Sequence, residues 1–383
     1  MEIYFDNAAT TKTSELAIKK MVEVMEYNYA NPSSLHGMGF KAEKEIRQAT
    51  KIFSDIIGAF PEEIYFVSGA TEANNTAIFG TAKGYIRTGK HIITSRIEHP
   101  SVLRVFEELE SQGWEVTYID VDNNGYIDME QLKNSIRKDT VLVSIMYVNN
   151  EIGTVQDIET IGRLIKEINP QTLFHVDAVQ GFGKYRISVQ KSQIDLMSIS
   201  GHKFHAPKGI GMLYIRKNLK VKPLLYGGGQ QKNMRSGTEN TPAVAAMAQA
   251  AKEMYDTLES NFEYVSEIKN FLIKNITENI ENVSINGDKT GSPYILNISF
   301  EGVRAEVLLH SLELENINIS AGSACSSHKK QASHVLVSIG LRPDIIEGTV
   351  RFSFSRYNTL EEAKHCVEVL KKTIPLLRKF KRH

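Results

Sequence analysis

Between residues 64 and 215 the chain repeats one pattern: a short apolar run, a polar turn, then a stretch whose apolar positions recur at helical spacing. The apolar runs predict strands at 64–67, 91–94, 115–119, 141–145, 172–176, 195–199 and 212–215. Strands alternating with helices form a mostly parallel seven-stranded sheet covered by helices, an α/β fold. The pattern then changes. An Ala-rich helical stretch runs from Thr241 toward Asn275, strands are expected at 295–300 and 349–354, and a helix closes the chain at 360–378. We therefore divide the chain near residue 255, into a large domain (13–255) and a smaller α+β domain formed by 1–12 with 256–383.

A chain of 383 residues exceeds the usual size of one core, in keeping with this division. Its 45 basic and 45 acidic side chains cancel, so no net field draws it to nucleic acid or to an anionic membrane. No apolar run approaches membrane-spanning length, and residues 1–6 lack the basic-then-apolar order of a leader. The two cysteines exclude a disulfide framework and suit a reducing compartment, so a cytoplasmic protein is expected.

In open sheets of this class, ligands bind beyond the carboxyl ends of the strands, and chemistry-bearing residues collect there. Lys203, in Ser200-Gly201-His202-Lys203, follows the run 194–199, and Asp177 follows the run 172–176. An amine and a buried carboxylate on neighbouring strands suit pyridoxal phosphate: the amine captures the aldehyde and the carboxylate pairs with the ring nitrogen. Ser68-Gly69-Ala70-Thr71 opens a helix after another strand, where backbone amides and the Thr71 hydroxyl suit a phosphate. His99 lies at the same edge, able to stack on the ring and move protons, although position alone reads as an ordinary helix start. Two other motifs fail. Gly84 to Lys90 has P-loop spacing, but His91 replaces the required hydroxyl and the order of elements is reversed. Asp120 to Gly125 resembles a calcium loop, but Gln131 stands where the bidentate Glu belongs, so a plain turn is expected. No metal site is expected.

Glu98-His99-Pro100, Asn149-Asn150-Glu151, Asp177-Ala178-Val179-Gln180, Ser200-Gly201-His202-Lys203, Arg235-Ser236-Gly237-Thr238 and Ser323-Ala324-Cys325 occur in this order. Together they resemble the cysteine desulfurases of the NifS/IscS type, class V pyridoxal-phosphate enzymes with the fold type I architecture, over nearly the whole chain. The resemblance implies that L-cysteine is converted to L-alanine, with Lys203 holding the cofactor, Asp177 on its ring nitrogen and His99 stacked on the ring. It implies that Ala70, Thr71, Ser200 and His202 bind the phosphate, with Thr238 reaching in from the second subunit of a homodimer. Gln180 and Asn150 would contact the ring hydroxyl side and the substrate. Arg351, alternating with the apolar residues of its strand, would hold the substrate carboxylate. Cys325 would take the sulfur as a persulfide in a loop of small residues, with His328-Lys329-Lys330 favouring the thiolate. Cys366 falls within the closing helix and reads as a buried small hydrophobe. The stretch 326–332 departs from the members that serve iron–sulfur scaffolds, so the acceptor stays open between an iron–sulfur scaffold, a tRNA-thiolation protein and another sulfur carrier. The alternatives are a selenocysteine lyase, a small-molecule aminotransferase, or a scaffold that has lost catalysis.

Overall fold

The computed structural model describes residues 2–321 and 332–380. Strand β1 (Ile3–Tyr4) is followed by helices α1 (Glu15–Tyr27) and α2 (Gly37–Ile57). The large sheet comprises β2 (Ile64–Val67), β3 (His91–Ser95), β4 (Glu115–Ile119), β5 (Thr140–Met146), β6 (Leu173–Asp177), β7 (Leu196–Ser200) and β8 (Gly211–Ile215), in the order β2-β8-β7-β6-β5-β3-β4. Strand β8 runs antiparallel to β2 and β7, and the remaining pairs are parallel. Every residue of β5, β6 and β7 is buried, because helices cover both faces; their near-continuous apolar composition follows from that burial.

Neighbouring residues on one strand serve opposite faces. Val143, Phe174 and Met197 join Phe53 and Phe182 in one core, while Leu142, Leu173 and Leu196 join Phe106 in the other. The first core lies under α1, α2 and α7 (Thr241–Asp256). Helices α3 (Ala70–Tyr85), α4 (Pro100–Ser111), α5 (Met129–Ser135) and α6 (Ile158–Ile168) fall within the crossovers between strands. The segment 120–126 forms the expected turn, with Asp122 Oδ1 accepting from the Asn124 and Tyr126 amides.

The remaining elements are α8 (Leu258–Asn279), β9 (Val283–Asn286), β10 (Ile295–Phe300), α9 (Ala305–Glu313), β11 (Ile317–Asn318), β12 (Ser320–Ala321), α10 (His334–Ser338), α11 (Pro343–Ile346), β13 (Thr349–Ser353) and α12 (Leu360–Phe380). A four-stranded antiparallel sheet, β12-β13-β10-β9, packs its apolar side with α8 and α12; Ile3 and Phe5 join this core beside Leu272, Phe300, Phe352 and Cys366. Strand β1 pairs with β11. The helical stretch expected to continue from Thr241 toward Asn275 is instead two helices. At Thr257 the backbone leaves helical geometry (φ −123°, ψ 22°), which lets α7 pack against α1 and α2 while α8 packs against α12. Among the described residues, no helix is long and apolar enough to cross a membrane.

Candidate active site

A cavity of about 550 Å³ opens at the carboxyl edge of the large sheet. Its wall includes Ala70, Thr71, His99, Asn150, Asp177, Gln180, Ser200, His202, Lys203 and Arg351. Thr238 is exposed and does not line the cavity of its own chain, and Cys325 lies outside the described residues.

The N-terminal segment closes one side of the cavity. Lys203 Nζ donates to the carbonyls of Ala8 (2.7 Å) and Ala9 (2.8 Å), and the His202 carbonyl accepts from the Thr11 amide. Gln180 Nε2 donates to the same Ala8 carbonyl at 2.9 Å, and its Oε1 accepts from buried Lys184 at 2.9 Å. Burial lowers the Lys184 amine to about 7. His202 Nδ1 meets Thr10 Oγ1 at 3.1 Å; burial first, then Lys203, lowers its imidazole to about 4.

Asp177 ends β6 with 4% of its surface exposed. Among the described residues its hydrogen-bond donors are neutral: Asn74 Nδ2 to Oδ2 (2.8 Å) and the Val179 amide to Oδ1 (3.0 Å). A buried carboxylate with neutral partners favours a cation at the cavity wall, the role a protonated pyridine nitrogen fills. The opposite requirement is met at α3, whose first residue follows Gly69, an N-cap without a side-chain acceptor for the first-turn amides. Those amides and the macrodipole suit an anion. Gly211, at the start of β8, makes the close approach possible: a Cβ there would stand 2.7 Å from Gly69 Cα and 2.7 Å from the Ile199 carbonyl oxygen. An anion site, an amine and a buried carboxylate on one wall fit the phosphate, aldehyde and ring nitrogen of pyridoxal phosphate.

Arg351 faces the cavity because its neighbours Val350 and Phe352 point into the opposite core. Its Nη1 donates to the Asn150 carbonyl (2.8 Å) and its Nη2 to Asp6 Oδ1 (2.8 Å), while the buried Nε is without a partner among the described residues. A held guanidinium with a spare donor suits an incoming carboxylate. His99 caps α4, its Nδ1 accepting from the Ser101 amide at 3.1 Å, and burial lowers the imidazole below its ordinary value. Beneath it, fully buried Glu98 accepts from Ser95 Oγ (2.6 Å) and the Met146 amide (2.8 Å), and burial raises its carboxyl to about 8.

Sequence reasoning passed over Asp6, Ala8, Asn74, Ser101 and Lys184. Asp6, Ala8 and Asn74 reach the site through partners distant in the chain, whereas Ser101 and Lys184 meet His99 and Gln180 close by in it; the Asp6 to Thr11 run, polar and small beside the first strand, offered a local signal.

Residues 3–365 match the family described as aminotransferase class-V. The cysteine desulfurase IscS of Pseudoalteromonas translucida is 43% identical over 99% of this chain and 94% of its own length. The putative cysteine desulfurase IscS 1 of Bacillus subtilis is 42% identical over 97% of this chain and 99% of its own. Among solved structures, a NifS-like protein superposes with a TM-score of 0.93 at 35% identity, covering 98% of this chain and all of that one.

Proposed function

We infer the roles of individual residues from one premise: the chain belongs to the class V aminotransferase family and is a pyridoxal-phosphate-dependent cysteine desulfurase. Bound in the cavity, the pyridoxal group supplies an electron sink for bonds broken at an amino acid's α-carbon. The observation that carries the residue assignments is the convergence of Asp177, Lys203 and Arg351 from β6, the turn after β7 and β13 on one cavity.

Asp177 holds the ring nitrogen, and the first turn of α3, with Thr71, Ser200 and His202, holds the phosphate. Lys203 Nζ would hold the group by its aldehyde. It lies within 3 Å of two backbone carbonyls, which orient the amine and keep it at the wall. With L-cysteine bound in the cavity, Lys203 Nζ would be the base that takes the α-proton. Arg351 grips the substrate carboxylate, with Asn150 beside it, and Gln180 faces the ring hydroxyl. The Cys325 thiolate then attacks the substrate sulfur: a sulfur–sulfur bond forms, the carbon–sulfur bond breaks, and the electron pair stays with the substrate carbon. Two protons complete alanine: Lys203 Nζ returns the one it took to the α-carbon and delivers to the β-carbon the one that the Cys325 thiol gave up on becoming a thiolate, while Cys325 keeps the persulfide until an acceptor thiol or carrier removes it.

We further assign the enzyme to a homodimer in which Thr238 completes the partner's phosphate site. Supporting this are the exposure of Thr238 and a run of exposed apolar side chains, Tyr27, Tyr29, Leu35 and Phe40, in and between α1 and α2. The acceptor is a protein of iron–sulfur assembly or tRNA thiolation. Alanine release from L-cysteine tests the assignment: Cys325→Ala should keep the yellow bound cofactor and release no alanine, and Lys203→Ala should lose the covalently held cofactor. Alanine release by the Cys325 variant at the wild-type rate would refute it.

A further inference from the structure

His99 is tied to Asp177 by two side chains for which the reaction gives no role. Asn74 is wholly buried on α3 and spends both amide protons, one on Asp177 Oδ2 (2.8 Å) and one on Ser101 Oγ (2.9 Å). Its orientation follows from the partner, since the flipped amide would set its oxygen against a carboxylate. Among the described residues the buried Asn74 Oδ1 has no partner, a cost the protein accepts in this orientation. Ser101 Oγ, accepting from Asn74, lies 2.8 Å from His99 Nδ1. The Ser101 backbone amide also points at Nδ1, at 3.1 Å, and an amide can only donate. Nδ1 therefore carries the lone pair, the Ser101 hydroxyl donates to it as well, and the ring proton sits on Nε2.

We propose that Asn74 and Ser101 are positioning residues that link Asp177 to His99 and lock the imidazole as its Nε2–H tautomer. His99 thus meets the cofactor as a neutral donor, and the protons of the reaction travel on Lys203. Protonating Nδ1 would expel two donors at once, the Ser101 amide and hydroxyl. The charged groups facing the ring are divided: Asp177 on β6 favours the cation, while Lys203 and His334 on α10 oppose it, as burial does. The inference rests on the reading of His99 as the ring-facing residue, but its test is independent of turnover.

The test is nitrogen NMR of the histidine-labelled full-length protein, with bound cofactor and after its removal, the His99 signals being those lost in His99→Gln. The wild type should show one protonated and one lone-pair nitrogen, with the lone pair on Nδ1, and should take up its second proton only below the ordinary imidazole range. Ser101→Ala removes one donor and should raise the charged population about fivefold at a given pH. Asn74→Ala should move the signals in the same direction by releasing the serine hydroxyl, and Ser101→Thr should restore them. A proton on Nδ1 in the wild type, averaging of the two nitrogens, or a Ser101→Ala spectrum identical to wild type would overturn the proposal. Cofactor uptake and alanine release, measured separately, report on the enzyme assignment and not on this one.

Discussion

Glu98 shows how a single residue beside the site links burial to pH. Among the described residues its Oε1 has two donors and its Oε2 none, and burial raises its carboxyl from 4.5 to about 8. Between those values the folded state binds more protons than the unfolded one, so this residue's contribution to stability is present below about pH 4.5 and is lost as pH rises toward 8. Glu98→Gln keeps the acceptor for Ser95 and Met146 and cannot ionise. Its melting temperature should therefore gain on the wild type's as pH is raised through that window; a constant difference would remove the charge argument. At this scale, Lys203 and Asp177 were legible because each falls at the end of a strand, where type and position together limit the chemistry, whereas the roles of His99, which caps a helix, and of Arg351 came from the family resemblance. Asn74 was not legible. Its amide meets a carboxylate 103 residues away, and nothing next to it in the chain announces that.

The elements position those residues through close backbone approach as much as through side chains. Gly211 is the clearest case: β8 runs so near the loop before α3 that a methyl group would meet backbone atoms that cannot rotate away. Gly211→Ala should cost about 1–3 kcal/mol through overpacking and displace the phosphate-binding turn. The expected outcome is weaker cofactor binding in a titration of the cofactor-free protein, with the fold retained by circular dichroism; unchanged affinity would show that the turn absorbs the methyl group elsewhere. The central strands β5, β6 and β7 were legible because burial on both faces leaves near-continuous apolar runs. The break between α7 and α8 was not, since helical spacing continues past Thr257 and the interruption reflects two helices packing against different neighbours. Strand β9 escaped notice for a related reason: its four half-polar residues become a strand only by pairing with β10.

At the scale of the whole molecule, the N-terminal segment closes the cavity, its first strand pairs with β11, and Asp6 holds the arginine of β13. The chain thus returns to its own beginning to build the site. The assignment of Thr238 to a second subunit makes a complementation prediction. When Thr238→Ala and Lys203→Ala chains are combined in one dimer, one cavity regains both groups, so it should bind the cofactor covalently and tightly. Failure of every mixed dimer to do so would return Thr238 to its own chain. The central claim is that sulfur leaves cysteine through Lys203 chemistry and lands on Cys325. Mass spectrometry of the Cys325 peptide after exposure to L-cysteine, with alanine measured in the same sample, tests it most directly. We predict a peptide heavier by one sulfur atom in step with the first equivalent of alanine, and none in Lys203→Ala. Alanine formed while that peptide stays unmodified would contradict the account.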